Sequence, residues 1–172
     1  MMNTGALKVT TPADREIVMT RVFDAPRELI FDAWTKPELV KRWLLGPPGW
    51  TMPVCEIDLR VGGAYRFEWL GQDGTVMGLS GVYREIVFPE RIVSTQLFDQ
   101  DWTGGETLGT LVLVEHGGKT SLTNTVLYAS PEARDGALRT NMAAGVEAGY
   151  ARLDELLPSL GPQAMENGAR ES

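Results

Sequence analysis

The chain is almost without the residues that most catalytic and metal sites require: it has one cysteine, Cys55, and one histidine, His116. A single cysteine excludes an internal disulfide and suits a reducing compartment. One cysteine and one histidine are too few for a zinc site, and no EF-hand spacing occurs. No Ser-His-Asp set can be assembled around a lone histidine in the turn Glu115-His-Gly-Gly-Lys119. The glycines of Val61-Gly62-Gly63 and Gly104-Gly105 lack the lysine and the spacing of a phosphate-binding loop, and turns explain them. Positive charge is scarce as well. The net charge is −7 and Lys41-Arg42 is the main basic pair, so neither nucleic acid nor an anionic membrane surface is an expected partner. No run approaches the roughly 18 apolar residues of a membrane span. Residues 1–12 hold no apolar segment of signal-peptide type, which makes the cytoplasm the expected location. No metal and no cofactor are expected, and Cys55, inside the apolar run 52–57, reads as a small core residue.

What is present is a core. The 172 residues are 43% hydrophobic, enough for one sizeable domain. It is expected over 14–158, with a flexible lead-in at 1–13 and a mobile tail at 159–172. Seven stretches read as strands: 15–24, 54–59, 64–70, 76–88, 91–98, 107–115 and 120–128. The connections carry turn residues, as at Gly71-Gln-Asp-Gly74 and Phe88-Pro89-Glu90, so sequential strands should pair antiparallel.

Three helical segments break the strand pattern. Pro26 suits a first helical turn and Asp24 is placed to receive its free N–H groups. Thr35 and Glu38 have capping-box spacing with Pro37 between them. Two short helices, 26–34 and 36–44, follow, each with one apolar face. From 131 to 157 the period becomes helical without interruption, predicting one long helix ended by Pro158. Met142, Gly145, Gly149, Leu153 and Leu156 share one side of it. Two interior glycines cost about 1 kcal/mol each relative to alanine, which implies either close backbone approach to the sheet or room for a ligand. The order β-α-α-β-β-β-β-β-β-α describes an α+β fold in which a curved antiparallel sheet grips its last helix.

Several segments resemble the AHSA-type domains, named after the activator of heat-shock chaperone ATPase, of the START-like (SRPBCC, helix-grip) superfamily. They are Arg21-Val-Phe-Asp-Ala-Pro26, Ala33-Trp-Thr-Lys-Pro-Glu38, Arg42-Trp43, Asp58-Leu-Arg-Val-Gly-Gly63, Gly81-Val-Tyr83, Pro89-Glu-Arg-Ile92 and Gly149-Tyr150 with Leu153. Tyr150 departs from the tryptophan usual in such domains but keeps an aromatic ring. The resemblance implies a helix-grip fold with a cavity between sheet and last helix that takes lipids, hormones or other apolar molecules. Chaperone activation is not expected to carry over, because it depends mainly on an additional N-terminal domain and few residues precede the first strand here.

The expected function is therefore non-catalytic binding of a small apolar or amphipathic ligand in that cavity. The alternatives are a protein-interaction domain, chaperone-related or other, with a small cavity, and a cyclase, dehydratase or hydrolase using a buried carboxylate or tyrosine. Homodimerisation is left open. Tyr65, Phe67 and Trp69 alternate with charged residues and share one face, and Met77 and Tyr83 share one parity of the next strand. With Trp34, Trp43 and Trp50 near the cavity mouth, and Met142, Gly145 and Gly149 on the helix, they form the candidate ligand site. Arg21 and Asn124, polar in apolar strands, are the expected inward polar groups. Glu68, Glu85 and Asp58 alternate with apolar residues and should face solvent. A ligand site of this kind should offer roughly 300 Å³ or more.

Overall fold

The computed structural model describes residues 6–46 and 48–160. Eight antiparallel strands make one curved sheet. They are β1 (Lys8–Thr10), β2 (Glu16–Phe23), β3 (Thr51–Ile57), β4 (Ala64–Leu70), β5 (Val76–Val87), β6 (Arg91–Phe98), β7 (Thr107–His116) and β8 (Lys119–Leu127). Their order across the sheet is β1-β2-β8-β7-β6-β5-β4-β3. From β3 to β8 the chain is a meander, because each link is too short to do anything but reverse. The tightest is the β7–β8 hairpin, where His116 pairs with Lys119. Gly117 and Gly118 lie between them at φ of 58° and 80°, the doubled positive φ that matches strand twist and that side chains resist.

The antiparallel pairing of sequential strands agrees with the sequence reading, but the sheet has eight strands rather than seven. The addition is β1, drawn from the stretch read as a lead-in, which pairs Lys8 with Thr20 and Thr10 with Val18 at the sheet edge. β3 also begins earlier than predicted. It includes Pro53, which the far edge tolerates at a register shift between Thr51 and Val54.

The short helices are α1 (Arg27–Thr35) and α2 (Pro37–Trp43), within a residue of expectation. Their caps are not those expected. Asp24 lies near Lys119, 3.4 Å away, and no side chain of Pro26 or Lys36 caps either helix. The first turn of α1 is closed from the sheet, where Arg27 N–H donates to Glu115 Oε1 at 2.8 Å. Thr35 is the last residue of α1, and its hydroxyl donates to the Phe31 carbonyl one turn back.

The single long helix is corrected to two: α3 (Pro131–Leu138) and α4 (Met142–Leu156), with a 3-10 turn at Leu157–Leu160. Ser130 caps α3 by accepting from Ala133 N–H at 3.0 Å, with Pro131 in the first turn. The break falls at Arg139-Thr140-Asn141, where the Thr140 hydroxyl donates to the Ala137 carbonyl and competes with the helical ladder.

α4 lays Tyr150, Leu153 and Leu156 on the inner face of the sheet, among Phe23, Leu113 and Leu122. Gly149 faces α2 rather than the sheet. A Cβ there would stand 3.2 Å from the Trp43 carbonyl oxygen and 3.6 Å from its ring, so the glycine permits close helix–helix approach. Gly149→Leu should therefore overpack this contact and lower stability by about 2 kcal/mol in denaturant unfolding. An unchanged midpoint would show that α2 yields freely.

Candidate functional site

The inner face of the sheet supports two separate hydrophobic clusters. One gathers Phe23, Ile30, Val40, Trp43, Leu122 and Leu153 beneath α1, α2 and the end of α4, where burial is essentially complete. The other gathers Ile17, Met19, Val126, Tyr128 and Ala137 beneath α3. Inner-face side chains elsewhere are less tightly covered: Trp69, Ser94, Gln96, Phe98, Asn124 and, on α4, Val146 are only half-buried. Strand alternation turns the strand positions among them inward.

Tyr65, Phe67 and Trp69 do share the inner face, and strand pairing sets Gly81 and Met77 opposite Tyr65 and Trp69. Neighbouring rings stand 5.1 Å (Tyr65–Phe67), 5.4 Å (Tyr65–Tyr83) and 6.0 Å (Phe67–Trp69) apart, and Phe98 stacks on Trp69 at 6.4 Å. Tyr65 crosses β5 above Gly81, where a Cβ would lie 2.4 Å from its ring, and donates its hydroxyl to the Thr95 carbonyl at 2.7 Å. Here the β5–β6 ladder opens, and Thr95 Oγ1 accepts the Val82 N–H instead. Burial pushes the phenols of Tyr65 and Tyr83 well above their ordinary range, so both are neutral at physiological pH. Burial also raises the Cys55 thiol to about 11, against a smaller opposing effect of Lys41, which leaves it protonated and a poor nucleophile.

The other expected site residues are dispersed. Trp34 and Trp43 meet at a tilt with ring centres 4.3 Å apart and lean on Tyr150, but Trp43 is 1% exposed and donates its indole N–H to the Ala33 carbonyl, a packing role. Trp50 stands apart from them, against Gly71 at the β4–β5 turn. Met142 approaches Tyr128 in the α3 cluster, its sulfur accepting the phenol at 3.9 Å. Gly145 is a half-buried position of α4.

Of the two inward polar groups, Arg21 is fully engaged. It makes a two-pronged ion pair with Asp154 of α4, at 2.7 and 2.5 Å, and packs over the Phe23 ring. Asn124 is half-buried on the inner face, paired between Met19 and Leu111 of the adjacent strands. Glu68, Glu85 and Asp58 pair with Arg66, Arg91 and Arg60 near the surface. His116 is exposed at the end of β7. No group of three His, Cys, Asp or Glu side chains among the described residues could hold a metal ion.

Sequence reasoning missed three inner-face groups. Gln96 lies across Gly109, accepting from Thr107 Oγ1 at 3.0 Å, and its amide nitrogen donates to nothing among the described residues. Phe98 extends the aromatic row. Trp102, in the β6–β7 loop, leans at a tilt on Phe98 with ring centres 4.9 Å apart and packs against the α3 cluster, with its indole N–H buried and unpartnered. The only sequence signal for Trp102 is a large aromatic in a polar loop.

Two hollows stand out among the described residues, and neither lies between sheet and α4. One is an open groove of about 430 Å³ with Glu56, Ala64, Arg66, Ser80, Val82 and Leu97 along it, mostly residues of the outer face. The other, about 260 Å³, lies between Trp50 and the β4–β5 turn. No helix among the described residues is long and apolar enough to cross a membrane.

Known proteins share this fold. The family model described as "Activator of Hsp90 ATPase homolog 1-like protein" matches residues 24–158. A solved structure from Rhodobacter sphaeroides is 35% identical over 90% of this chain and 99% of its own, with a TM-score of 0.84. One from Chromobacterium violaceum is 28% identical over 82% of this chain and 96% of its own, with a TM-score of 0.69. An AHSA1-like protein from Aeromonas hydrophila, 16% identical over 82% of this chain and 93% of its own, shares the fold at a TM-score of 0.65. No curated protein matches the chain.

Proposed function

This chain belongs to the Activator of Hsp90 ATPase homolog 1-like family, and on that footing we propose that it binds a small apolar or amphipathic molecule, without chemical change, on the inner face between the sheet and α4. The incompletely covered inner face carries the reading. A domain with nothing to bind would gain by covering its inner face fully, whereas this one leaves the rings of Trp69 and Phe98 half-buried against the first cluster and the amides of Gln96 and Asn124 half-buried on the same face. Such a surface offers apolar contact area with a few polar groups to orient a ligand, the composition of small-molecule sites. Neutral tyrosines and surface-paired carboxylates supply no evident general base, which supports binding over catalysis.

A second reading, a protein-interaction domain, is favoured by the outer groove, where Val82 and Leu97 are exposed side by side with Arg66 and Glu56. Titration with a neutral naphthyl ketone, followed by backbone amide shifts, separates the two. The binding account expects perturbation of inner-face positions on β4, β6 and β8 and of the first half of α4. Perturbation confined to Ala64, Ser80, Val82 and Leu97 would contradict it and favour the interaction reading.

A further inference from the structure

We infer that the ligand of the inner face is an uncharged molecule with a carbonyl-type acceptor, and that the Trp102 indole N–H is the donor that recognises it. The inference rests on the binding function proposed above and adds the ligand's chemical class. Among the described residues, the Trp102 Nε1 is the one buried side-chain nitrogen or oxygen without a hydrogen-bond partner. A buried indole N–H is a pure donor and is costly to leave unmatched, so its natural complement is a lone pair brought by something else.

The surroundings say what else that molecule must be. Trp102 leans at a tilt on Phe98, which stacks on Trp69, so an aromatic wall lies beside the donor. The half-buried amide of Gln96 on the same face adds a second unmatched donor. The inner face has no available counter-charge, since the Arg21 guanidinium is closed by Asp154. An anionic head would be desolvated there without a cation, so a ketone, ester or amide group fits where a carboxylate does not. The other indole donors of known pairing are occupied: Trp43 by the Ala33 carbonyl and Trp69 by the Leu44 carbonyl, at 2.8 and 2.7 Å.

The test uses two probes of one shape, a neutral naphthyl ketone and the same naphthalene with its carbonyl reduced to methylene. The full-length chain should bind the ketone about tenfold more tightly, the size of one matched buried hydrogen bond. Trp102→Phe keeps a smaller aromatic ring and removes the donor, so it should weaken both probes through lost contact and erase the preference between them. In the unmutated chain, the Trp102 indole proton should move downfield with the ketone and not with the hydrocarbon, while the Trp43 indole proton stays in place. This readout needs no variant to fold. Equal affinity for the two probes, a preference that survives Trp102→Phe, or an unmoved Trp102 proton overturns the assignment while leaving the binding function standing. Failure of both probes to bind overturns the binding function and this assignment with it.

Discussion

Gly81→Ala is expected to destabilise the fold by about 3 kcal/mol or more, whereas Gly78→Ala, three residues earlier on the same strand, should cost under about 1 kcal/mol. Both glycines let a tether pass over β5 from β4 to the end of β6, on opposite faces. At Gly81 the added Cβ would stand 2.0 Å from the Thr95 carbonyl oxygen and 2.4 Å from the Tyr65 ring. The carbonyl is backbone and the ring is buried, so neither can give way cheaply. At Gly78 the Cβ would meet Asp99 Oδ2 and an Arg66 Nη, the far ends of two flexible side chains. These form a surface ion pair at 2.8 and 2.6 Å that also holds the Asp99 carboxyl below its usual range, and it can swing aside into water. Denaturant unfolding of the two variants decides the matter. Equal losses would mean that the sheet at Gly81 is more pliable than its geometry implies.

The second large effect concerns the ion pair beneath α4. Asp154→Ala should cost about 2–3 kcal/mol, because it leaves the Arg21 guanidinium buried and uncompensated. The figure is set below the usual range for buried pairs because the Asp154 side chain is 38% exposed against 5% for Arg21, so water can partly replace it. The asymmetry gives the sharper check. Arg21→Met removes the buried charge and leaves Asp154 able to reach solvent, so it should cost about 1 kcal/mol or less. If Arg21→Met proves the more damaging, the pair stabilises through the packing of Arg21 on Phe23 and not through its charge.

Local rules made most of the sheet legible. Alternation and turn residues placed β4 and β6 at their observed ends, and parity alone put Tyr65, Phe67 and Trp69 on the inner face. β1 escaped because three residues give no alternation to detect. The caps were misread because sequence sees only neighbours. The partner for the first turn of α1 is Glu115, from a strand far along the chain, and Thr35 satisfies its hydroxyl within its own helix. The division of the last helix turned on Thr140, a residue that either continues a helix or bonds back against it. Gly149 read either as close approach to the sheet or as room for a ligand, and only the fold shows that α2 is what approaches. Trp102 was out of reach because a loop has no period from which to infer which way a ring points.

Calorimetric titration with the neutral naphthyl ketone over a range of temperatures, in the unmutated chain and in Trp69→Ala and His116→Ala, tests the central claim most directly. Binding on the inner face predicts a negative heat-capacity change, at least tenfold weaker affinity in Trp69→Ala from the loss of one stacking wall, and no change in His116→Ala. Binding without a heat-capacity change, or affinity lost in His116→Ala and kept in Trp69→Ala, would place the site elsewhere on the molecule.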